Sequence, residues 1–403
     1  MRFSPKILLV LALLLNGCAA TAQKAEEIPR ETAEAAFLPK AADNEIVAVY
    51  EKFELFYETD TPTRNFAELE QENPMLGAYI QSNRAYSSIG DFESRTGADY
   101  AVYSYNMRLN DPYPAEFVLS CLSLGKIPSI TIYPPEEGDI YDKATLKRLS
   151  ASFGDYKTPM FVQFYPLSTY FDSGEYINFF RMAKQTFAKA APEAVFVWSA
   201  YFKDINGAAD FYPGDTYVDW LGLSVYCGYG DFPDITKTLT DFCESFPNKP
   251  VMLTELAVSH YDTSDNLYKT AEAAGFLTSL FAAIRDEFTR VKAVIYADVN
   301  LIEIGGTADY TISGEEALLS AFALYPSKAM VNAEKSRFFA LYDGADILLP
   351  EYALSGELNF DGGALSALES VTVNYKKYYS ARELSRLGRY YEVDFNEKTI
   401  FIR

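Results

Sequence analysis

Phe211-Tyr212-Pro213-Gly214-Asp215-Thr216-Tyr217-Val218-Asp219-Trp220-Leu221-Gly222-Leu223-Ser224-Val225-Tyr226, the amphipathic stretch Ile235–Phe246, and Lys249-Pro250-Val251-Met252-Leu253-Thr254-Glu255 together hold the repeating unit of this fold. The runs Trp220–Tyr226 and Val251–Glu255 are short and apolar on both faces. Such strands belong in a parallel sheet covered by helices. The stretch between them has helical periodicity, so the unit reads strand, helix, strand.

Working outward, the same alternation recurs. Eight β-rich runs can be counted: Met75–Ile80, Tyr100–Tyr105, Pro128–Tyr133, Met160–Tyr165, Val195–Ala200, Trp220–Tyr226, Val251–Glu255 and Lys292–Val299. Amphipathic stretches separate them, at Ala115–Leu124, Lys143–Phe153, Glu175–Ala190, Ile235–Phe246, Asn266–Asp286 and, after the last run, Glu315–Ala323. Eight repeats over about 250 residues match the size of a (β/α)8 TIM barrel. A doubly wound open sheet would carry a Gly-rich phosphate turn after an early strand, and none is present.

Beyond Ser327 the pattern changes. Ser336–Leu349 and Thr372–Arg403 read as strands and turns around one short helix, Ala381–Leu387, with a terminal hairpin over Tyr390–Arg403 turning at Asn396-Glu397. This predicts a small α+β domain over residues 327–403, following a barrel over 75–326.

The amino terminus predicts export. Arg2 and Lys6 precede the apolar run Ile7–Leu15, which is too short for a membrane span and reads as a signal-peptide core. It ends in Leu15-Asn16-Gly17-Cys18, which resembles a lipobox with Cys18 as the lipidated residue. Residues 1–18 are then a lipoprotein signal peptide and 19–74 a tether and N-terminal extension. The tether, to about residue 43, is rich in Ala, Glu, Lys and Pro. The expected location is the extracellular face of the cell membrane. Three cysteines remain, Cys121, Cys227 and Cys243. They read as buried thiols, with a Cys227–Cys243 bridge as the alternative.

The formal charge of −21 over 403 residues repels a phosphate backbone and excludes nucleic acid as a partner. A neutral polysaccharide is not repelled. The one histidine, His260, rules out a histidine-rich metal site, and no cofactor is implied. In such barrels the active site lies at the C-terminal ends of the strands. Glu255, closing the seventh run, is the candidate carboxylate, with capping or pairing as the competing role. Tyr165, Tyr226 and Trp198 are candidates for sugar binding, and core packing is the competing role for the aromatics.

The strings FYPGDTYVDWLGLSVY, KPVMLTE and VFVWS resemble glycoside hydrolase family 26, which includes β-mannanases. MLGAYI near the start, GKIPSITIYPP at the third strand and DYTIS (Asp309–Ser313) fit as well. The resemblance spans about Met75 to Leu324. It implies a (β/α)8 barrel, a β-mannan or related β-glycan as substrate, a retaining double displacement, and Glu255 at the nucleophile position. The family's acid/base Glu follows a His just after the fourth strand. Here Pro166 and Leu167 take those places, and no His-Glu pair occurs in the chain. A retaining glycosidase needs a second carboxylate about 5–5.5 Å from the nucleophile. Asp172 and Glu175, just downstream, are the weak candidates for it; capping of the next helix is their competing role. Three expectations follow: an enzyme with an unidentified acid, a glycan-binding pseudoenzyme, or a surface scaffold. The tail YYSARELSRLG…YEVDFNEKTIFIR resembles the copper-amine-oxidase N-terminal-like, or stalk, domain of exported bacterial proteins. That resemblance implies a cell-wall or surface partner; with no histidine in the tail it implies no copper.

Overall fold

The computed structural model describes residues 54–57, 74–83, 85, 86, 89–123, 126–135, 142–154, 156, 159–164, 172–203, 205–323, 339–342, 345–351, 354, 360, 362–373, 376–395 and 399–402. The leader, Cys18 and the tether lie outside these residues. So do Tyr165, Pro166, Leu167 and the Asn396-Glu397 turn.

Eight parallel strands close into a barrel: β2 (Met75–Tyr79), β3 (Val102–Arg108), β4 (Ile127–Tyr133), β5 (Met160–Phe164), β6 (Ala194–Tyr201), β7 (Trp220–Gly228), β8 (Val251–Ser259) and β11 (Val291–Ala297). The last strand pairs back onto the first, from Ala293↔Met75 to Ala297↔Tyr79. All eight expected runs are strands of this barrel. Alternation along each strand builds two apolar layers. Met75, Val102, Ile127, Phe161, Val197, Trp220, Met252 and Ile295 fill the lumen. Leu76, Tyr103, Ile130, Val162, Phe196, Leu221, Leu253 and Val294 pack outward against the helices.

Those helices include Ala115–Ser123, Lys143–Gly154, Ser173–Ala190, Phe232–Ser245, Thr270–Asp286 and Glu316–Ala323. One expected start is corrected. The helix expected from Asn266 begins at Thr270, because Asn266 adopts a positive φ of 57° and turns a short hairpin, β9 (Tyr261–Asp262) with β10 (Leu267–Tyr268). Several expected strand ends are also corrected, among them three that run on: β3 to Arg108, β7 to Gly228 and β8 to Ser259. Glu255 therefore lies within β8 and does not close it. Cys121, Cys227 and Cys243 are all free.

The C-terminal residues form part of a seven-stranded sheet, ordered β14 (Ser370–Val373), β15 (Lys376–Ser380), β13 (Ile347–Pro350), β12 (Phe339–Tyr342), β1 (Glu54–Tyr57), β17 (Thr399–Ile402), β16 (Tyr391–Asp394). The expected helix over Ala381–Leu387 is a 3-10 helix, capped by the Ser380 hydroxyl accepting from the Arg382 amide. A second short helix, Gly362–Ser366, accompanies it. The terminal hairpin pairs Tyr391↔Ile402 through Asp394↔Thr399. The upstream strand β1, to which the sequence assigned no structure, runs antiparallel to β12 and parallel to β17.

Candidate active site in the barrel lumen

Glu255 is 2% exposed and faces the lumen. Simple alternation from Met252, which also faces inward, would turn Glu255 outward. A bulge prevents this. Leu223 pairs with Leu253, but the next residue, Ser224, pairs with Glu255, so β8 carries one extra residue at Thr254. The same extra residue appears against β11, between Val294↔Leu253 and Tyr296↔Leu256. A bulge of this kind re-aims the side chain that follows it. Leu256 and Val258 then face the helices, and Ala257 faces the lumen.

Two strands hold the carboxylate, the adjacent β7 and, across the lumen, β3. Asn106 on β3 donates its Nδ2 to Oε1 at 3.3 Å, and Ser224 on β7 donates its hydroxyl to Oε2 at 3.1 Å. Burial pushes the Glu255 carboxyl above its ordinary value; Asn106, Ser224 and Tyr226 draw it part of the way back. The Tyr226 hydroxyl lies close enough to stabilise the charged form, yet makes no hydrogen bond of ordinary geometry among the described residues. Burial and the nearby Glu255 charge push that hydroxyl well above the usual tyrosine range. Asn106 Oδ1 and Thr254 Oγ1 are likewise buried without a partner among the described residues. Gln163 on β5 donates to Ser199 on β6 at 2.8 Å, adding a second polar pair. Tyr79 on β2 donates or accepts with Ser82 at 2.7 Å, and its hydroxyl feels the Glu255 charge.

Gly222 makes this packing possible. A Cβ there would lie 2.6 Å from Ser199 Cβ and 2.7 Å from Thr254 Cγ2. Only a bare backbone lets β6, β7 and the bulge approach this closely.

The structure brings together Glu255 and Tyr226 among the expected site residues. It separates Trp198, which corrects the expectation of a sugar platform there. Trp198 is fully buried on the outer face of β6, packed against Tyr212, Phe242 and Phe246. Asp172 and Glu175 form a capping box at the start of the Ser173–Ala190 helix: the Asp172 carboxylate accepts from the Glu175 amide at 2.8 Å, and Glu175 accepts from the Asp172 amide at 3.4 Å. That is the capping role set against their role as acids. Asn106, Ser224, Gln163 and Tyr79 were missed. Their signal was a polar residue at inward parity in an otherwise apolar strand.

A closed parallel barrel with a carboxylate buried in its lumen places the central part of the chain in the (β/α)8 class. Within it, residues 173–295 match the model of glycosyl hydrolase family 26. The matched stretch includes Ser224, Tyr226 and Glu255 and begins downstream of Leu167. No curated protein matches the chain in sequence. Similar solved structures include a modular endo-β-1,4-mannanase from Cellulomonas fimi, 15% identical over 63% of this chain and 70% of that one, with a TM-score of 0.46. GH26C from a Muricauda species is 16% identical over 64% and 86%, with a TM-score of 0.45. Xylanase XynB from Paenibacillus barcinonensis is 12% identical over 67% and 100%, with a TM-score of 0.47.

Proposed function

We propose that this chain is an exported, lipid-anchored, carbohydrate-recognising protein of family 26 type. Its barrel mouth takes a neutral β-linked glycan, of the β-mannan class, and Glu255 holds the nucleophile position. Hydrolysis of unactivated glycosides is crippled, because Leu167 stands where the acid/base would be. The observation that carries this reading is the surroundings of Glu255. Its charge answers to Asn106, Ser224 and Tyr226, and no second carboxylate among the described residues bears on it. Two carboxylates at the spacing of a retaining pair would raise one another. General acid assistance is worth roughly 10²–10⁴-fold, so its loss leaves a site that binds and attacks but releases poorly. Asn106 Oδ1 and Tyr226 Oη, buried and without a hydrogen-bond partner among the described residues, are polar groups that the hydroxyls of a sugar entering the lumen would satisfy.

The test uses an aryl β-mannoside with a nitrophenolate leaving group, which needs little acid help. Intact-mass spectrometry should show a glycosyl adduct on the wild type and none on Glu255→Gln, while affinity electrophoresis in galactomannan shows retention of both. Rapid hydrolysis of galactomannan itself would contradict the impaired reading. Neither adduct nor retention would end the carbohydrate reading. The anchor is supported by Arg2, Lys6 and the Leu15-Asn16-Gly17-Cys18 string. Cys18→Ala should move the protein from the membrane fraction to the soluble one.

A further inference from the structure

The loop that follows β8 returns as the β9–β10 hairpin and leaves two large apolar side chains in the open, Leu267 at 55% and Tyr268 at 56% exposure. Exposed apolar residues are common and by themselves mean little. Tyr268 differs because it is held. Its hydroxyl donates to Asp309 Oδ2 at 3.4 Å. Its ring lies 5.3 Å from the buried His260 ring, and Tyr261 meets it edge-on at 5.2 Å. The hairpin is fixed as well. Tyr229, after β7, donates to Asp262 at 3.3 Å, and Tyr261 donates to Asn266 at 3.0 Å. Asp309 is itself pinned by Asn300 and Thr311. Tyr310, the next residue, packs edge-on against Tyr226 at 5.4 Å, beside Glu255. From the exposed ring the neighbours run through Asp309 and Tyr310 to Tyr226, whose hydroxyl feels the Glu255 charge.

We propose that Tyr268, flanked by Tyr261, is an outer subsite that stacks one pyranose ring of a neutral β-linked glycan whose inner units occupy the lumen mouth. The proposal rests on the glycan reading above. A pyranose ring presents apolar C–H faces and an equatorial belt of hydroxyls, which a flat aromatic ring bordered by hydrogen-bond acceptors complements. Asp262 and Asp265 supply such acceptors, and with the formal charge of −21 they disfavour an anionic polymer. A ring already fixed in place loses little freedom on binding, which is what a preorganised platform requires.

The test is calorimetric titration of the full chain with mannohexaose and cellohexaose, compared with mannobiose and cellobiose. Tyr268→Ala should weaken hexaose binding on the order of tenfold and leave biose binding unchanged. Tyr268→Phe, which keeps the ring, should retain most of the hexaose affinity, whereas Tyr268→Leu, which keeps apolar bulk without a flat face, should behave like the alanine variant. Thermal melting of each variant checks its fold. Hexaose affinity unchanged in Tyr268→Ala, or biose and hexaose weakened equally, overturns the subsite while leaving the glycan reading intact. No binding of any of the four sugars by the wild type overturns both.

Discussion

Asp298 shows how one residue ties the barrel to its loops. It follows β11, is fully buried, and accepts from Tyr86 Oη and the Ile312 amide, each at 2.7 Å, and from Asn83 at 3.2 Å. Burial pushes its carboxyl up to about 6. Its native pKa therefore lies above the unfolded one, near 3.9. The stability it contributes is full below about pH 4 and is lost as pH rises through about 6, on the order of 2–3 kcal/mol. Asp298→Asn removes this slope and weakens the acceptor network. Urea unfolding should show a deficit relative to wild type that is larger at pH 4 than at pH 7; a deficit growing toward pH 7 would contradict the raised value. Glu255 behaves in the same sense, because burial raises it too. Adduct formation, which needs the charged form, should fall as pH drops, with a midpoint above the ordinary glutamate value of about 4.3. Ser224→Ala removes a donor to the carboxylate and should move that midpoint further up. A midpoint that fell would mean that Ser224 does not support the charge.

At the scale of elements, the bulge in β8 and the glycine facing it decide where the chemistry points. Gly222→Ala inserts a methyl where Ser199 and Thr254 leave no room. It should cost about 1–3 kcal/mol, read as a lowered melting temperature, and should also lower adduct yield by disturbing the bulge. An unchanged melting temperature would show that β6 and β8 can separate freely. The elements themselves were legible, since each apolar run and amphipathic stretch declared its own type. The faces were not. Val197, Trp198 and Ser199 occupy both sides of β6, and both sides of a barrel strand are buried. Hydrophobicity therefore cannot tell lumen from helix layer, and the sequence leaves Trp198 open to both sugar binding and core packing. Asp172 and Glu175 carried their own signal: an acid followed three residues later by Glu at a helix start is a capping pattern.

At the scale of the molecule, the chain passes through one sheet, builds the barrel and returns to the same sheet. β1 sits between β12 and β17, so the C-terminal sheet depends on residues far upstream. A chain beginning at Pro74 should keep the barrel's unfolding transition in calorimetry and lose or lower the transition of the sheet. A sheet transition of full height and temperature in that truncation would show that β12 and β17 need no strand between them. Nothing local in Glu54-Leu55-Phe56-Tyr57 could announce this pairing, because its partners lie about 280 to 345 residues away.

The sequence by itself determined the eight strands, their order, the barrel they imply and the carboxylate to ask about. Strand and helix periods are local properties, and a repeated strand-helix alternation leaves few ways to close. Tertiary structure alone decided which face of each strand looks inward, that an extra residue at Thr254 aims Glu255 into the lumen, and that Asn106 and Ser224 hold it there. These depend on register between strands 30 to 150 residues apart. Register is set by packing against neighbours, which no single segment encodes.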